Sequence, residues 1–268
     1  WQLILCLRFF GLFIPKRSAD EKALLYMTVG GVPKYLEQFN PSQSVEKNIN
    51  RLCLSKNGFF VNEFETLFKE QFTSTKTYET IVRILVKSPQ ILAQISKNAQ
   101  IARGGGLKEQ TDNLVRAQFV RDYVPLNIGG GRRTRTKIYK VVDPFLLFYF
   151  SYILPNLEII QRNENENLFT SIVLPTLNQY RGLAFERLCE DSIMKILHLL
   201  GLQLKDVLRM GSFFRRPVGE ARGLQIDWLI MRRDGVWNVL ECKYHNKPVG
   251  SWVIDDVKKK IEMLNPTD

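Results

Sequence analysis

Apolar residues recur at helical spacing along most of the chain up to residue 200 and gather beyond it into short runs bounded by turn residues. Helices are expected over residues 20–29, 34–39, 46–71, 78–86, a short stretch after Pro89, and 107–118. Two strands, 119–126 and 136–142, follow the last of these, joined by a Gly- and Arg-rich segment. Three helices and then a hairpin is the outline of a winged helix-turn-helix. Asp143 reads as an N-cap with Pro144 in the first turn of a further helix. Beyond the polar stretch 161–167 the pattern predicts a helix over 181–200, strands over 208–215, 225–231 and 236–244, and a helix over 252–264. The predicted class is therefore α+β.

Two apolar runs flank Arg233, Asp234 and Gly235, which reads as a three-residue hairpin connection with Gly235 in the left-handed position. That loop length pairs Arg232 with Val236, and counting back along both strands sets Asp227 opposite Glu241. Lys243 lies two residues beyond Glu241 and shares its face. Two carboxylates across a strand pair repel one another, so something must offset them. A hard divalent cation does so with oxygen ligands, and Lys243 would then serve a water or a phosphate. Lys243 also does so by itself, as a structural ion cluster; the hairpin alone leaves both readings open.

The net charge of +11 is concentrated. Between Lys97 and Lys140 ten Lys or Arg stand against three acids, a local excess of +7 that suits a polyanion such as nucleic acid. On the expected third helix of the winged unit, Lys108, Gln110, Thr111, Asn113 and Arg116 are the polar residues available to a major groove. Arg132, Arg133 and Arg135 in the wing are placed for phosphates or a minor groove. The competing use of such a unit is contact with another protein.

Cys6, Cys53, Cys189 and Cys242 form no Cys-x-x-Cys pair, which argues against a zinc site or a disulfide framework and fits a reducing cytoplasm. His198 lies among leucines and reads as a packing residue, and His245 as a solvent-facing strand end. No apolar run approaches the roughly 20 residues of a membrane span, and no signal peptide is expected. Gly-x-x-x-x-Gly-Lys-Ser/Thr does not occur, so neither ATP binding through a P-loop nor ATPase activity is expected of these residues.

An acidic residue in a helix, then Asp on one strand and Glu-x-Lys on the next, resembles the PD-(D/E)XK nuclease-like fold; here the three elements carry Glu186, Asp227, and Glu241 with Lys243. Residues 18–268 as a whole are similar to the C-terminal half of prokaryotic AAA+ ATPases of the archaeal-ATPase type. The marks are GGVPKYL at 30–36, EKNI at 46–49, YKVVDPF at 139–145 and GLAFE at 182–186. Residues 1–14 depart from that pattern. The resemblance implies a helical remnant of an ATPase lid over 1–70, a winged helix-turn-helix over 71–160, a linker over 161–167 and a nuclease-like domain over 168–268. It also implies Mg²⁺ or Mn²⁺ held by Asp227 and Glu241, with Glu186 completing the acidic cluster and Lys243 acting on water or phosphate. The expected partners are DNA and an ATPase core or other protein, not a membrane. The nuclease-like fold normally adds a further strand, so the domain reads as clipped at Asp268. The expectation is a DNA-binding fragment with a metal-dependent phosphodiesterase site; the alternative is a non-catalytic DNA- or protein-binding module whose nuclease-like domain is vestigial.

Overall fold

The structure, a computed structural model, describes residues 16–72, 75–126, 128, 136–162, 166–215, 223–245 and 250–264. It is α+β, with two three-stranded sheets among these residues. The chain divides into two units, one from residues 1–122 and 139–184, the other from 123–138 and 185–268. The change of unit falls inside a helix, between Ala184 and Phe185, and the polar stretch 161–167 lies within the first unit.

In the first unit, helix α1 (Ala19–Val29) starts at a capping box. Ser18 Oγ accepts from Glu21 N at 3.2 Å, and Glu21 Oε2 accepts from Ser18 N at 3.0 Å. Helix α2 (Pro33–Leu36) follows Gly30, whose φ of +71° breaks α1. The single helix expected over 46–71 is two: α3 (Val45–Cys53) and α4 (Phe59–Gln71). Gly58 turns the chain against α3, and a Cβ there would stand 2.5 Å from Leu52 O. The core is aromatic: Phe60 meets Phe145 at 5.5 Å, Phe64 stacks on Tyr149 at 4.5 Å, and Phe68 stacks on Phe119 at 5.4 Å. Such pairs add roughly 0.5–1.5 kcal/mol each beyond their burial. Buried Asn48 donates to Asn40 O and accepts from Asn40 N, which fixes the turn before α3.

Helix α5 (Thr75–Lys87), strand β1 (Gln90–Ile91), helices α6 (Leu92–Ala99) and α7 (Gly105–Arg116), and strands β2 (Val120–Tyr123) and β3 (Ile138–Val141) follow, with sheet order β1-β3-β2. This is the element order of a winged helix. Asp143 caps α8 (Pro144–Phe148), accepting from Leu146 N at 2.8 Å. A local repeat then emerges. A π-helix at Tyr149–Ile153, a 3-10 turn at Leu154–Asn156 and helix α9 (Leu157–Arg162) are matched by a π-helix at Phe169–Val173, a 3-10 turn at Leu174–Thr176 and helix α10 (Leu177–Asp191). Pro155 and Pro175 occupy the same place in each copy. Proline offers no N–H and crowds the carbonyl four residues before it, which widens the preceding turn. Tyr152 Oη and Thr176 Oγ1, 3.1 Å apart, join the copies.

The expected helix over 181–200 is broken at Ser192, whose hydroxyl donates to Leu188 O at 2.6 Å, and resumes as α11 (Ile193–Leu199). His198, read as a packing residue, is exposed, as is Leu183 on the inward spacing of the same expected helix. Strands β4 (Val207–Arg215), β5 (Leu224–Arg232) and β6 (Trp237–Leu240) form an antiparallel sheet in that order. Helix α12 (Trp252–Met263) closes the described chain. One sheet face packs with Met263, Leu264 and Ile128 around Ile226 and Leu229. The other packs Ile230 against Leu197 of α11. The stretch expected as a wing belongs in part to this unit: Leu126 N donates to Ser212 O at 3.0 Å, and Ile128 joins the sheet's core. Among the described residues no helix is long and apolar enough to cross a membrane.

Burial raises the Asp143 carboxyl to about 6, against the N–H groups of Leu146 and Phe145, which favour its charged form. The folded chain therefore holds this proton more tightly than the unfolded one, and the stability linked to it is present at low pH and lost as pH rises through about 6. Asp143→Asn keeps the cap and should flatten the stability profile between about pH 4 and about pH 7, measured by urea unfolding. Asp143→Ala should cost about 1 kcal/mol at pH 7 through loss of the cap.

Candidate acidic site at a bulged strand end

The hairpin register is the one counted from the loop. Arg232 N donates to Val236 O at 2.8 Å, Gly235 takes φ +84°, and the ladder runs Met231↔Trp237, Leu229↔Val239 and Trp228↔Leu240. One further step sets Asp227 against Glu241. The strand expected to reach residue 244 ends at Leu240, because the next available donor, Cys242 N, is taken at 2.9 Å by Asp227 Oδ2.

The other side of β5 explains why Asp227 is placed there. Gly211 pairs with Leu229 but Phe213 pairs with Ile226. Two residues of β5, Asp227 and Trp228, thus stand opposite Ser212 alone, which is a β-bulge. The bulge lets Ile226 and Leu229, three residues apart, enter the same core cluster. It also re-aims Asp227 at the end of the sheet, the use to which bulges beside functional sites are put.

Glu241 is the centre of the cluster. Its side chain is 2% exposed and lies between two ammonium groups: Lys260 Nζ on α12 is 2.7 Å from Oε1, and Lys243 Nζ is 3.2 Å from Oε2. Oε2 is fully buried and has no aligned hydrogen-bond donor, so Lys243 meets it as a charge only. Burial favours the neutral form of Lys243, but the carboxylates of Glu241, Asp227 and Glu186 outweigh it and raise the ammonium's pKa. The Glu186 carboxyl on α10 is raised by burial and by Asp227, with Lys243 and Arg187 acting against. Burial and Glu241 raise Asp227, against its bond from Cys242 N. The four residues singled out in the sequence therefore act on one another. Lys260 was not singled out; it lies within a Lys258–Lys260 run whose members are indistinguishable until the helix is docked.

Three carboxylates in mutual repulsion, and a buried Glu241 oxygen lacking an aligned donor, are oxygen groups of the kind a hard divalent cation takes as ligands. Among the described residues no group of three or more His, Cys, Asp or Glu side chains is placed to hold a metal ion. Mg²⁺, which keeps several waters and needs one or two protein carboxylates, is the cation such a pair suits.

The winged unit divides the residues expected to face DNA. Lys108 and Arg116 are exposed on α7, Lys108 paired with Asp112. Gln110 is half-buried, and Asn113 donates to Tyr78 Oη at 2.8 Å. Thr111 is a correction: it is fully buried, and its hydroxyl donates to Leu107 O and Lys108 O, so it has no surface to offer a groove. Arg132, Arg133 and Arg135 lie outside the described residues.

Residues 149–260 match the family DUF234, described as archaeal and bacterial proteins of unknown function. The matched stretch contains Glu186, Asp227, Glu241, Lys243 and Lys260. The chain is also 27% identical over 207 residues to an uncharacterized protein of Methanocaldococcus jannaschii, covering 76% of this chain and 44% of that protein's length. No solved structure matches.

If Lys260 is what offsets Glu241, Lys260→Met should cost about 1–3 kcal/mol in urea unfolding, since it strips one of two charges from a buried carboxylate. Lys258→Met, on an exposed side chain of the same helix, should change stability by less than about 0.5 kcal/mol. Equal effects would remove Lys260 from the cluster.

Proposed function

We propose that this chain is a DNA-binding portion of an AAA+ ATPase-family protein and carries a metal-dependent phosphodiesterase site at Glu186, Asp227, Glu241 and Lys243. The observation that carries the reading is the convergence of the acidic pair and the lysine at the bulged end of the sheet. The resemblance of this pattern to PD-(D/E)XK nucleases supports it. Asp227 and Glu241 would hold Mg²⁺ or Mn²⁺, which when bound supplies a water of lowered pKa and positive charge for the phosphate. Lys243 positions that water or offsets charge developing on the phosphate oxygens. Glu186 adds negative charge beside Asp227, and Lys260 holds Glu241 in place. Lys108 and Arg116 on α7, with Arg132, Arg133 and Arg135, would supply phosphate contacts. An ATPase core or another protein is the further partner this reading expects.

A second reading has its own support. Both oxygens of Glu241 already meet lysines, which offsets the buried carboxylate without a metal. A non-catalytic module, binding DNA or protein through the winged unit, would keep this arrangement as a structural ion cluster.

Plasmid and single-strand cleavage with Mg²⁺ or Mn²⁺ separates the two. The nuclease reading expects cleavage by the native chain, lost in both Asp227→Ala and Lys243→Ala. The module reading expects none, with DNA affinity that falls steeply as salt rises and is lost when Arg132, Arg133 and Arg135 are neutralised.

A further inference from the structure

Aromatic residues adjoin the acidic site where the chain leaves β6. Phe185 precedes Glu186 on α10 and meets Tyr244, which follows Lys243, with ring centroids 5.7 Å apart. Both are half-buried and serve packing. His245 and Trp252 differ. His245 is exposed, and Trp252, the first residue of α12, is 52% exposed. Their rings stand 5.4 Å apart at 88°, edge against face. Such a pair uses one face of one ring, so His245 leaves at least one face of the indole clear. Gly250 backs the indole: a Cβ there would stand 3.1 Å from Trp252 Cδ1. Trp252 is not part of an apolar stripe. Its neighbours one turn on are Asp255 and Asp256, while the exposed Ile254 and Ile261, seven residues apart, share a different face. A large ring held at a fixed angle, half open to solvent and set beside polar residues, suits stacking on another flat ring better than burial under a protein.

We propose that Trp252 and His245 form a stacking platform for an unpaired nucleobase, which makes single-stranded nucleic acid the ligand of the acidic site. The inference rests on the reading of that site as one that meets nucleic acid, and adds the form of the strand. His245 lies two residues beyond Lys243, a span of at most about 7 Å, so a base on the platform belongs to a nucleotide close to the phosphate that Lys243 meets. A base inside a duplex has its faces covered by its neighbours in the stack and cannot lie on the indole; an unpaired base can. Tolerance of sequence follows, since every base offers a flat face. Asp255 and Asp256 repel the strand's phosphates from the start of α12 and turn them toward His245 and Lys243.

Tryptophan fluorescence reads the platform with EDTA present and hence without cleavage. The full chain, Trp252→Phe and Trp252→Ala are titrated with a single-stranded oligothymidylate, with the same strand made abasic, and with a blunt duplex. The Trp252 share of the signal is the difference between the native chain and Trp252→Phe. Oligothymidylate should quench that share, and the abasic strand and the duplex should not. By anisotropy of a labelled strand, Trp252→Phe should keep the affinity for oligothymidylate, and Trp252→Ala should weaken it by about 5- to 150-fold while binding the abasic strand as the native chain does. Trp252 is exposed, so neither substitution threatens the fold. No quenching of the Trp252 share, equal quenching by the abasic strand or the duplex, or native affinity for oligothymidylate in Trp252→Ala overturns the proposal. Quenching at Trp252 with no cleavage once Mg²⁺ is added would keep the platform and remove the nuclease; cleavage without that quenching would do the reverse.

Discussion

Glu241 brings a carboxylate into the interior of the second unit, and it can stay there because two ammonium groups from different elements reach it. Lys260 comes from α12 and Lys243 from the segment after β6. Burying an ion costs several kcal/mol unless it is paired, so this contact constrains everything around it. It fixes the docking of α12, whose Met263 also packs on the sheet face around Ile226 and Leu229. It keeps the chain after β6 close to the sheet, where Cys242 can give its N–H to Asp227.

The bulge is the second half of the same construction. A regular β5 would alternate Ile226 and Leu229 to opposite faces. The extra residue opposite Ser212 sends both into one core cluster and turns Asp227 toward Glu241. Ser212 is also where Leu126 N–H meets the edge of β4, so the irregular point of the sheet is covered from outside. Repulsion among Glu186, Asp227 and Glu241 is then a consequence of geometry set by the core. Lysines offset that repulsion in part, and the cation proposed for the site would offset the rest.

What the sequence disclosed and what it hid divide along one line. Local rules were legible. The three-residue turn at Gly235 dictated the Asp227–Glu241 register, the Asp143–Pro144 cap was readable from residue type, and three helices before a hairpin announced the order of the winged unit. Contacts between distant segments were not. Lys260 is one of three consecutive lysines, and only the docking of α12 selects it. The bulge leaves no mark in the apolar pattern, because Trp228 fits either face. Thr111 is a different case: Leu107, Thr111 and Leu114 share one helical face, and that spacing already placed it inward.

A calorimetric titration of Mn²⁺ into the intact chain and into Asp227→Asn most directly tests whether the bulged strand end is a cation site. Asparagine preserves the oxygen that accepts from Cys242 N–H, while it removes the charge and replaces the other oxygen by an NH2 group. Saturable binding of one ion by the native chain, abolished in the folded variant, is the predicted result. No saturable binding by the native chain, or equal binding by both, would contradict it and leave Glu241 and its lysines as a structural ion cluster.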